Sequence, residues 1–273
     1  MHNLHSDTES GRGDIKLEDF SADEIAAGML EMDAALPDII RPALSSIAVL
    51  IDKTAVLLAN GGRLFYLGAG TSGRLGILDA SECPPTFGVP HGLVVGMIAG
   101  GDSAIRRAVE FAEDDVHQGF RDLMEHEVSS KDLVLGISAS GRTPYVLGAL
   151  QACKAAGITT ACICCNIDTI IGREADFPVE VQTGAEFVTG STRLKAGTAT
   201  KMILNMISTG TMIRLGKVQG TRMVDMQLSN HKLVDRGTRM LHELTGLNTE
   251  AARALLLEFG NVRAALAAWK AQN

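Results

Sequence analysis

Glycine and hydroxyl residues are concentrated where a short apolar segment, Leu64–Leu67, gives way to a polar turn. Residues Gly68–Arg74 follow it directly and read Gly-Ala-Gly-Thr-Ser-Gly-Arg. A turn of this kind at the start of a helix aims backbone N–H groups, two hydroxyls and the positive end of the helix dipole at one point. It is therefore predicted to bind an anion such as a phosphate. The residues assigned to this site are Gly70, Thr71, Ser72 and Gly73.

The spacing of Gly68, Gly70 and Gly73 also matches the G-x-G-x-x-G pattern of dinucleotide-binding proteins. A dinucleotide site of that type needs an acidic residue at the end of the second strand, where it binds the ribose. The second predicted strand, Leu93–Ile98, ends instead in Ala-Gly-Gly, and Asp102 follows only after the turn. A compact monophosphate is therefore favoured over a dinucleotide.

A second hydroxyl-rich turn follows the apolar segment Leu133–Ile137 and precedes Pro144, a residue suited to the first turn of a helix. Helix capping alone would explain hydroxyl side chains at these positions. Because a glycine and an arginine accompany three hydroxyls within six residues, an anion or sugar site is favoured here as well. The residues assigned to it are Ser138, Ser140, Gly141, Arg142 and Thr143.

A third cluster, Thr189–Lys195, places three hydroxyls and two cations ahead of a long Met-rich segment predicted as a helix, Ala196–Leu215. Surface charge with ordinary capping and a ligand-binding role explain this cluster equally well. Ser191 and Lys195 are its candidate ligand contacts. The methionines of the helix indicate a buried core or a subunit interface.

Two carboxylates near these turns are candidate catalytic groups. Glu82 follows a helix predicted near 74–81 and stands before Cys83 and a predicted Pro84-Pro85 turn. Glu113 lies in an acidic run late in a helix predicted over 103–115, where a solvated helix face is the ordinary interpretation. Spacing alone does not single out Glu113.

The surrounding sequence supplies elements that would hold these groups together. Short apolar segments alternate with helical segments, which predicts a doubly wound α/β fold with a five-stranded parallel sheet. In open sheets of this kind ligands bind at the carboxyl ends of the strands, where the polar turns would meet. The predicted strands are Leu64–Leu67, Leu93–Ile98, Leu133–Ile137, Thr159–Cys164 and Val179–Gln182, and the helices between them lie near 74–81, 103–115, 144–156 and 168–174.

Helices are predicted on both sides of the sheet region, 61–220. Residues 1–60 begin with a loose polar tail to residue 18, followed by a helix capped by Ser21 and a second helix from Pro37 to Asn60. Residues 221–273 are predicted as C-terminal helices that include a small three-helix module.

Composition narrows the function classes. The chain has 273 residues and a net charge of −7 with no basic run, so nucleic acid and anionic membranes are not expected partners. No uninterrupted apolar stretch of transmembrane length and no signal peptide is evident, and five cysteines suit a reducing compartment, which predicts a cytoplasmic protein.

The cysteines and histidines show no pattern of a reactive or metal site. Cys162, Cys164 and Cys165 are predicted to be core residues, whereas Cys83 has no evident partner. Because His2 and His5, the closely spaced histidines, lie in the polar tail, no metal site is predicted.

Several of these segments together resemble the N-acetylmuramic acid 6-phosphate etherases, over roughly residues 20–240. The segments that carry the resemblance are 65–76, 79–88, 98–101, 140–150, 188–198 and 215–218. The resemblance implies the sugar isomerase (SIS) fold and a lyase of bacterial cell-wall recycling. Such an enzyme cleaves the lactyl ether of N-acetylmuramic acid 6-phosphate to N-acetylglucosamine 6-phosphate and D-lactate without a cofactor. It further implies a homodimer with sites near the subunit interface.

By the same resemblance Glu82 is the proton donor and Glu113 the second catalytic carboxylate. Ring opening exposes a C1 aldehyde that acidifies the C2 hydrogen; a base removes it, lactate leaves C3 with help from an acid, and water adds at C3. Two carboxyl groups in opposite protonation states are needed. Glu113 is the hypothetical base and Glu82 the acid.

Two rival functions share the predicted fold. One is a phosphosugar-sensing binding protein similar to the glucokinase regulatory protein, which resembles two such units in tandem. The other is an aldose–ketose isomerase, which would abstract the same type of proton but release nothing. Release of lactate distinguishes the etherase from both.

Overall fold

Five parallel strands form a single sheet in the computed structural model, which describes residues 6–272. The strand order is β2-β1-β3-β4-β5, so the predicted doubly wound parallel sheet is confirmed. The strands are β1 Leu64–Gly68, β2 Val94–Ile98, β3 Leu133–Ser138, β4 Thr159–Cys164 and β5 Phe177–Glu180. Strand β5 begins two residues earlier than predicted and includes Pro178, which an edge strand tolerates because one side of it needs no N–H donor.

Helices cover both faces of the sheet and divide the core into two layers. Leu64 and Tyr66 of β1 point toward α3, α4 and α9, whereas Phe65 and Leu67 point toward α6, α7 and α8, as the two-residue period of a strand requires. The helices are α1 Ala22–Ala34, α2 Leu36–Ile40, α3 Leu44–Ala59, α4 Gly70–Phe87, α5 Ser103–Arg106, α6 Gln118–Glu125, α7 Pro144–Ala155, α8 Ile170–Glu174, α9 Lys195–Arg214, α10 His231–Thr245, α11 Thr249–Phe259 and α12 Val262–Gln272.

Helix α4 passes through the two prolines at which a turn was predicted, so that prediction is wrong. Pro84 is buried in the core and α4 continues to Phe87, where Gly88 ends it with a left-handed backbone (φ 63°). Glu82 therefore lies inside a helix and its side chain is exposed. Packing of the apolar face outweighs the hydrogen bonds that the two prolines remove.

The prediction of a helix over 103–115 is also wrong beyond the first turn. Helix α5 ends at Arg106, the chain turns extended at Arg107, and Phe111 adopts a left-handed backbone (φ 59°) before a 3-10 turn at Ala112–Asp114. Residues 106–111 are exposed, so they bury no apolar face that would stabilise a helix there.

The N-terminal region departs from its predicted loose tail. Residues 6–20 form 3-10 turns at Asp7–Glu9 and Leu17–Asp19, and the Thr8 side chain is fully buried. His2 and His5 lie outside the described residues. The capping box at Ser21 is confirmed, but the second predicted helix is divided into α2 and α3 by a 3-10 turn around Pro42, which cannot donate a backbone hydrogen bond.

The stretch Ala22–Ala59 is apolar and long enough, by length and composition, to cross a membrane. In the structure it is broken into α1, α2 and α3. Helix α3 buries Ile47 and Leu50 in the same core layer as the sheet. Helix α3 thus packs as a core helix, whereas α1 buries none of its residues.

The C-terminal helices α10, α11 and α12 enclose a small core of their own, to which Val224 and Met226 contribute. A short segment joins this module to the end of α4: the Gln227 N–H donates to the Pro85 carbonyl (3.1 Å). Gly88 approaches the Asp225 carbonyl so closely that any Cβ would overlap it. The three predicted C-terminal helices are thus present, and the division of the chain at residues 60 and 220 stays a prediction.

Asp132, at the amino end of β3, offers a test of stability away from the carboxyl edge. Its side chain is 2% exposed and accepts hydrogen bonds from Arg63 and Ser129, including a 3.0 Å pair with the Arg63 guanidinium. Replacing Asp132 by Asn should lower the free energy of unfolding by about 2–4 kcal/mol at pH 7, because Arg63 and Ser129 lose a charged acceptor that is itself buried. Asp38→Asn, which breaks an exposed pair with Arg41, should cost under about 0.5 kcal/mol.

The pH dependence of that loss follows from the pKa of Asp132. Burial acts to raise this pKa, but the hydrogen bonds from Arg63 and Ser129 outweigh burial and hold the pKa below its usual value. The stabilisation is therefore present above the unfolded pKa of about 3.9 and is lost as the pH falls through the lower folded value. The difference in unfolding free energy between the wild type and the Asn variant, measured by chemical denaturation, should shrink as the pH falls below about 3.9 and vanish below the folded pKa; a constant difference would contradict this explanation.

Candidate active site

A cavity of about 510 Å³ opens at the carboxyl edge of the sheet, between the ends of β1 and β3. The strand order reverses between these two strands, and open α/β sheets bind their ligands at such a position. The first two predicted turns meet there: Gly70, Thr71 and Ser72 on one side and Ser140, Arg142 and Thr143 on the other line the same cavity.

The first turn is built by close approach of α4 to the sheet. A Cβ at Gly73 would lie 2.6 Å from the Ile98 side chain, so this glycine allows the helix to begin against β1 and β2. Gly73 is buried and does not line the cavity. Arg74 donates to the Ala104 and Ile105 carbonyls (both 2.8 Å) and so holds the loop after β2. Thr71 and Ser72 thus present their hydroxyls from a rigid helix start.

The second turn is held by Ser138 from within the protein. Its hydroxyl lies 2.8 Å from that of Thr143 and accepts the Gly141 N–H at 3.1 Å, and Ser138 is 2% exposed. Gly141 has a left-handed backbone (φ 70°) and packs against Thr169. Ser138 and Gly141 therefore shape the turn, and neither lines the cavity, although both were predicted to contact the ligand.

The third cluster, Thr189–Lys195, and the start of α9 line the cavity with residues other than the predicted Ser191 and Lys195. Thr192, Gly197 and Thr200 line the cavity, whereas Ser191 and Lys195 do not. Lys195 faces a separate cavity of about 160 Å³ beside Asp33 and Phe187.

The start of α9 is fixed by a buried carboxylate. Glu186 is fully buried and accepts the N–H groups of Lys195 and Ala196 (both 2.9 Å). A carboxylate in this position is stabilised by the helix dipole. Burial lowers the pKa of the Lys195 ammonium; Glu186 opposes the shift and Arg12 adds to it.

Carboxylates form one side of the cavity. Glu113 and Asp114, in the 3-10 turn after Phe111, line it together with Glu9 from the N-terminal segment. We call Glu9, Glu113 and Asp114 the carboxylate wall. Glu82 is not part of the cavity lining and stands on α4 seven residues beyond Leu75, the last α4 residue that is.

Cys83 is unsuited to covalent chemistry. All five cysteines are free thiols and buried, and burial raises the pKa of Cys83 to about 12, with Asp79 and Glu82 adding to the shift. A thiol that stays protonated at neutral pH is a poor nucleophile. Cys83 therefore belongs to the core, as do Cys162, Cys164 and Cys165.

Residues 6–272 contain no cluster of side chains suited to bind a metal ion. No group of three histidine, cysteine, aspartate or glutamate side chains there is close enough to hold an ion. The polar groups of the cavity are hydroxyls, backbone amides, one guanidinium and carboxylates, which suit a phosphorylated sugar.

Sequence comparison assigns the matched parts of the chain to known domain families. The glucokinase regulatory protein N-terminal SIS domain matches residues 46–154, and the SIS domain matches residues 109–209. The cavity lies within the region that the two matches cover together, apart from Glu9.

Related proteins match over most of the chain. An N-acetylmuramic acid 6-phosphate etherase of Christiangramia forsetii is 51% identical over 99% of this chain and 98% of its own length. An N-acetylmuramic acid 6-phosphate etherase of Porphyromonas gingivalis is 54% identical over 92% of this chain and 91% of its own. Among solved structures, a phosphoheptose isomerase from Francisella tularensis superposes with a TM-score of 0.54 at 16% identity, over 71% of this chain and 99% of its own, which shows a shared fold.

Proposed function

Because this chain belongs to the N-acetylmuramic acid 6-phosphate etherases, we propose a role in catalysis for each side of its cavity. The enzyme is a carbon–oxygen lyase that converts N-acetylmuramic acid 6-phosphate into N-acetylglucosamine 6-phosphate and D-lactate. The observation that carries the proposal is the meeting of two hydroxyl-lined turns and a carboxylate wall in one cavity.

The two turns bind the anionic and hydroxyl groups of the substrate. Backbone N–H groups at the start of α4, with Thr71 and Ser72, suit a phosphate, and Ser140, Arg142 and Thr143 add hydroxyls and a cation. Holding the substrate at both turns fixes its carbon chain across the cavity, toward the carboxylate wall. Such fixed placement is what elimination at C2 and C3 requires.

Glu113 is the base that removes the C2 hydrogen. It lines the cavity from a short turn that follows the left-handed Phe111. With the sugar opened to the aldehyde, the carbanion formed at C2 is delocalised into the carbonyl, and lactate leaves from C3. Water then adds at C3 to complete the product. No cofactor takes part in these steps.

Glu82 donates the proton to the departing lactate oxygen, and it reaches the cavity from a second subunit. At 1.5 Å per helical residue Glu82 stands about 10 Å beyond Leu75. It shares one face of α4 with Thr71 and Leu75, and that face includes Leu78, which is 44% exposed. Leu78 and Glu82 are both exposed on this face, which supports a homodimer. In such a dimer this face of each subunit would lie against the cavity of the other.

The cellular role we infer is recycling of peptidoglycan amino sugars in the cytoplasm. The substrate is a phosphorylated amino sugar, a charged metabolite of the cell interior. Five buried free thiols also suit a reducing compartment. The net charge of −7 gives no electrostatic attraction to nucleic acid or to anionic membranes.

The decisive test is stoichiometric release of D-lactate from N-acetylmuramic acid 6-phosphate by the purified protein, with no cofactor added. We expect one lactate per sugar, with N-acetylglucosamine 6-phosphate as the other product. Binding of the sugar phosphate without lactate release would contradict the etherase function.

A further inference from the structure

We propose that Glu9 contacts the substrate and accepts hydrogen bonds from the uncharged donor groups of its sugar, the hydroxyls and the acetamido N–H. This inference rests on the proposed function. It concerns a segment of about seven residues, Asp7–Gly13, that lies more than 50 residues before the sheet begins.

The segment is anchored by a buried side chain at the end of β4. Asn166, 6% exposed, accepts the Thr8 N–H (3.3 Å) and donates to the Thr8 hydroxyl (3.0 Å). The same amide group donates to the Ala139 carbonyl (2.9 Å), in the turn that follows β3. The N-terminal segment and the second ligand turn therefore share one anchor, and Thr8 is fully buried.

This anchoring fixes the residue next to Thr8 at the cavity. Glu9 lines the cavity with Glu113 and Asp114. Its carboxylate lies against Gly190, where a Cβ would come within 2.9 Å of the Glu9 Oε2 atom. On the other side of Thr8, Asp7 accepts a hydrogen bond from Gln182 (2.5 Å). Thus Glu9 is held at the cavity by contacts on both sides.

The chemistry of a carboxylate decides which part of the substrate Glu9 can meet. An ionised carboxylate accepts hydrogen bonds and donates none. A phosphate or a lactyl carboxylate placed against it would be repelled, and both are instead suited to the N–H and hydroxyl groups of the two turns. The donors that remain on the substrate are hydroxyls and the acetamido N–H. Glu9 is therefore suited to recognise the sugar, and not its anionic ends.

Binding of two ligands to the Glu9→Gln variant separates this role from a structural one. Calorimetry with N-acetylglucosamine 6-phosphate should give a dissociation constant raised about tenfold, since a hydrogen bond to a charged acceptor is weakened. The dissociation constant for inorganic phosphate should stay the same or fall, because a nearby negative charge is removed. Glu18→Gln, which changes an exposed glutamate of the following 3-10 turn Leu17–Asp19, outside the cavity, is the matched control and should change neither value.

Two results would overturn the proposal. One is a Glu9→Gln variant that binds N-acetylglucosamine 6-phosphate as tightly as the Glu18→Gln control. The other is an equal loss of affinity for the sugar phosphate and for phosphate alone, which would mean that the segment only shapes the cavity. Because both ligands are products or fragments, the binding experiment stands even if the wild type releases no lactate, a result that would count against the proposed function alone.

Discussion

Glu113→Gln is expected to abolish exchange of the substrate's C2 hydrogen with solvent and to lower kcat for lactate release by about 10²- to 10⁴-fold. The amide keeps the size of the side chain but cannot take the proton. Exchange is measured by proton NMR of N-acetylglucosamine 6-phosphate or N-acetylmuramic acid 6-phosphate incubated with enzyme in D₂O. Substrate binding should change little.

Asp114→Asn is the matched control, because Asp114 is the adjacent carboxylate of the same turn and lines the same cavity. It should retain C2 exchange and most of the activity. Exchange that survives in Glu113→Gln but disappears in Asp114→Asn would transfer the role of base to the neighbour, and the assignment of Glu113 would be wrong.

Glu82→Gln should separate the two halves of the reaction. C2 exchange is expected to continue, because the base is intact, while lactate release falls by about 10²- to 10⁴-fold for want of a proton donor. Glu31→Gln, which changes an exposed glutamate of α1, serves as the control and should leave both rates unchanged.

Mixing the two inactive variants tests whether Glu82 acts across a subunit interface. In a mixed dimer of Glu82→Gln and Glu113→Gln chains, one cavity would receive a wild-type Glu113 from one chain and a wild-type Glu82 from the other. Random exchange of subunits makes about half of the dimers mixed, each with one intact site, so about a quarter of the wild-type activity should return. Activity that stays at the level of the separate variants would assign both groups to one chain.

The sheet could be predicted from the sequence because its signals are local. Each strand is a short apolar run bounded by glycine or hydroxyl residues, and alternation with helices leaves a parallel sheet as the simplest arrangement. The first two ligand turns were predictable for the same reason, since Thr71 and Arg142 stand three and four residues after the ends of β1 and β3. The direction of individual side chains was not, and Ser138 proved to point inward and hold the turn.

Other features depend on contacts between distant parts of the chain. Glu9 could not be predicted because Thr8 meets Asn166 across 158 residues, and no local pattern encodes that pairing. The helix predicted before Glu113 does not form because residues 106–111 stay exposed in the folded protein and gain little from packing. The turn predicted at Pro84 failed for the opposite reason, since burial of α4 outweighed a strong local signal.

The carboxylate wall also has a consequence for how fast enzyme and substrate meet. The protein carries a net charge of −7, with Glu9, Glu113 and Asp114 lining its cavity, and the substrate is an anion at both its phosphate and its lactyl group. At low ionic strength the two therefore repel each other over distances of about 10 Å or more, and salt shortens the range of that repulsion. Diffusional capture by this enzyme thus becomes faster in saltier solution, the reverse of electrostatic steering, and the same field favours the departure of its two anionic products.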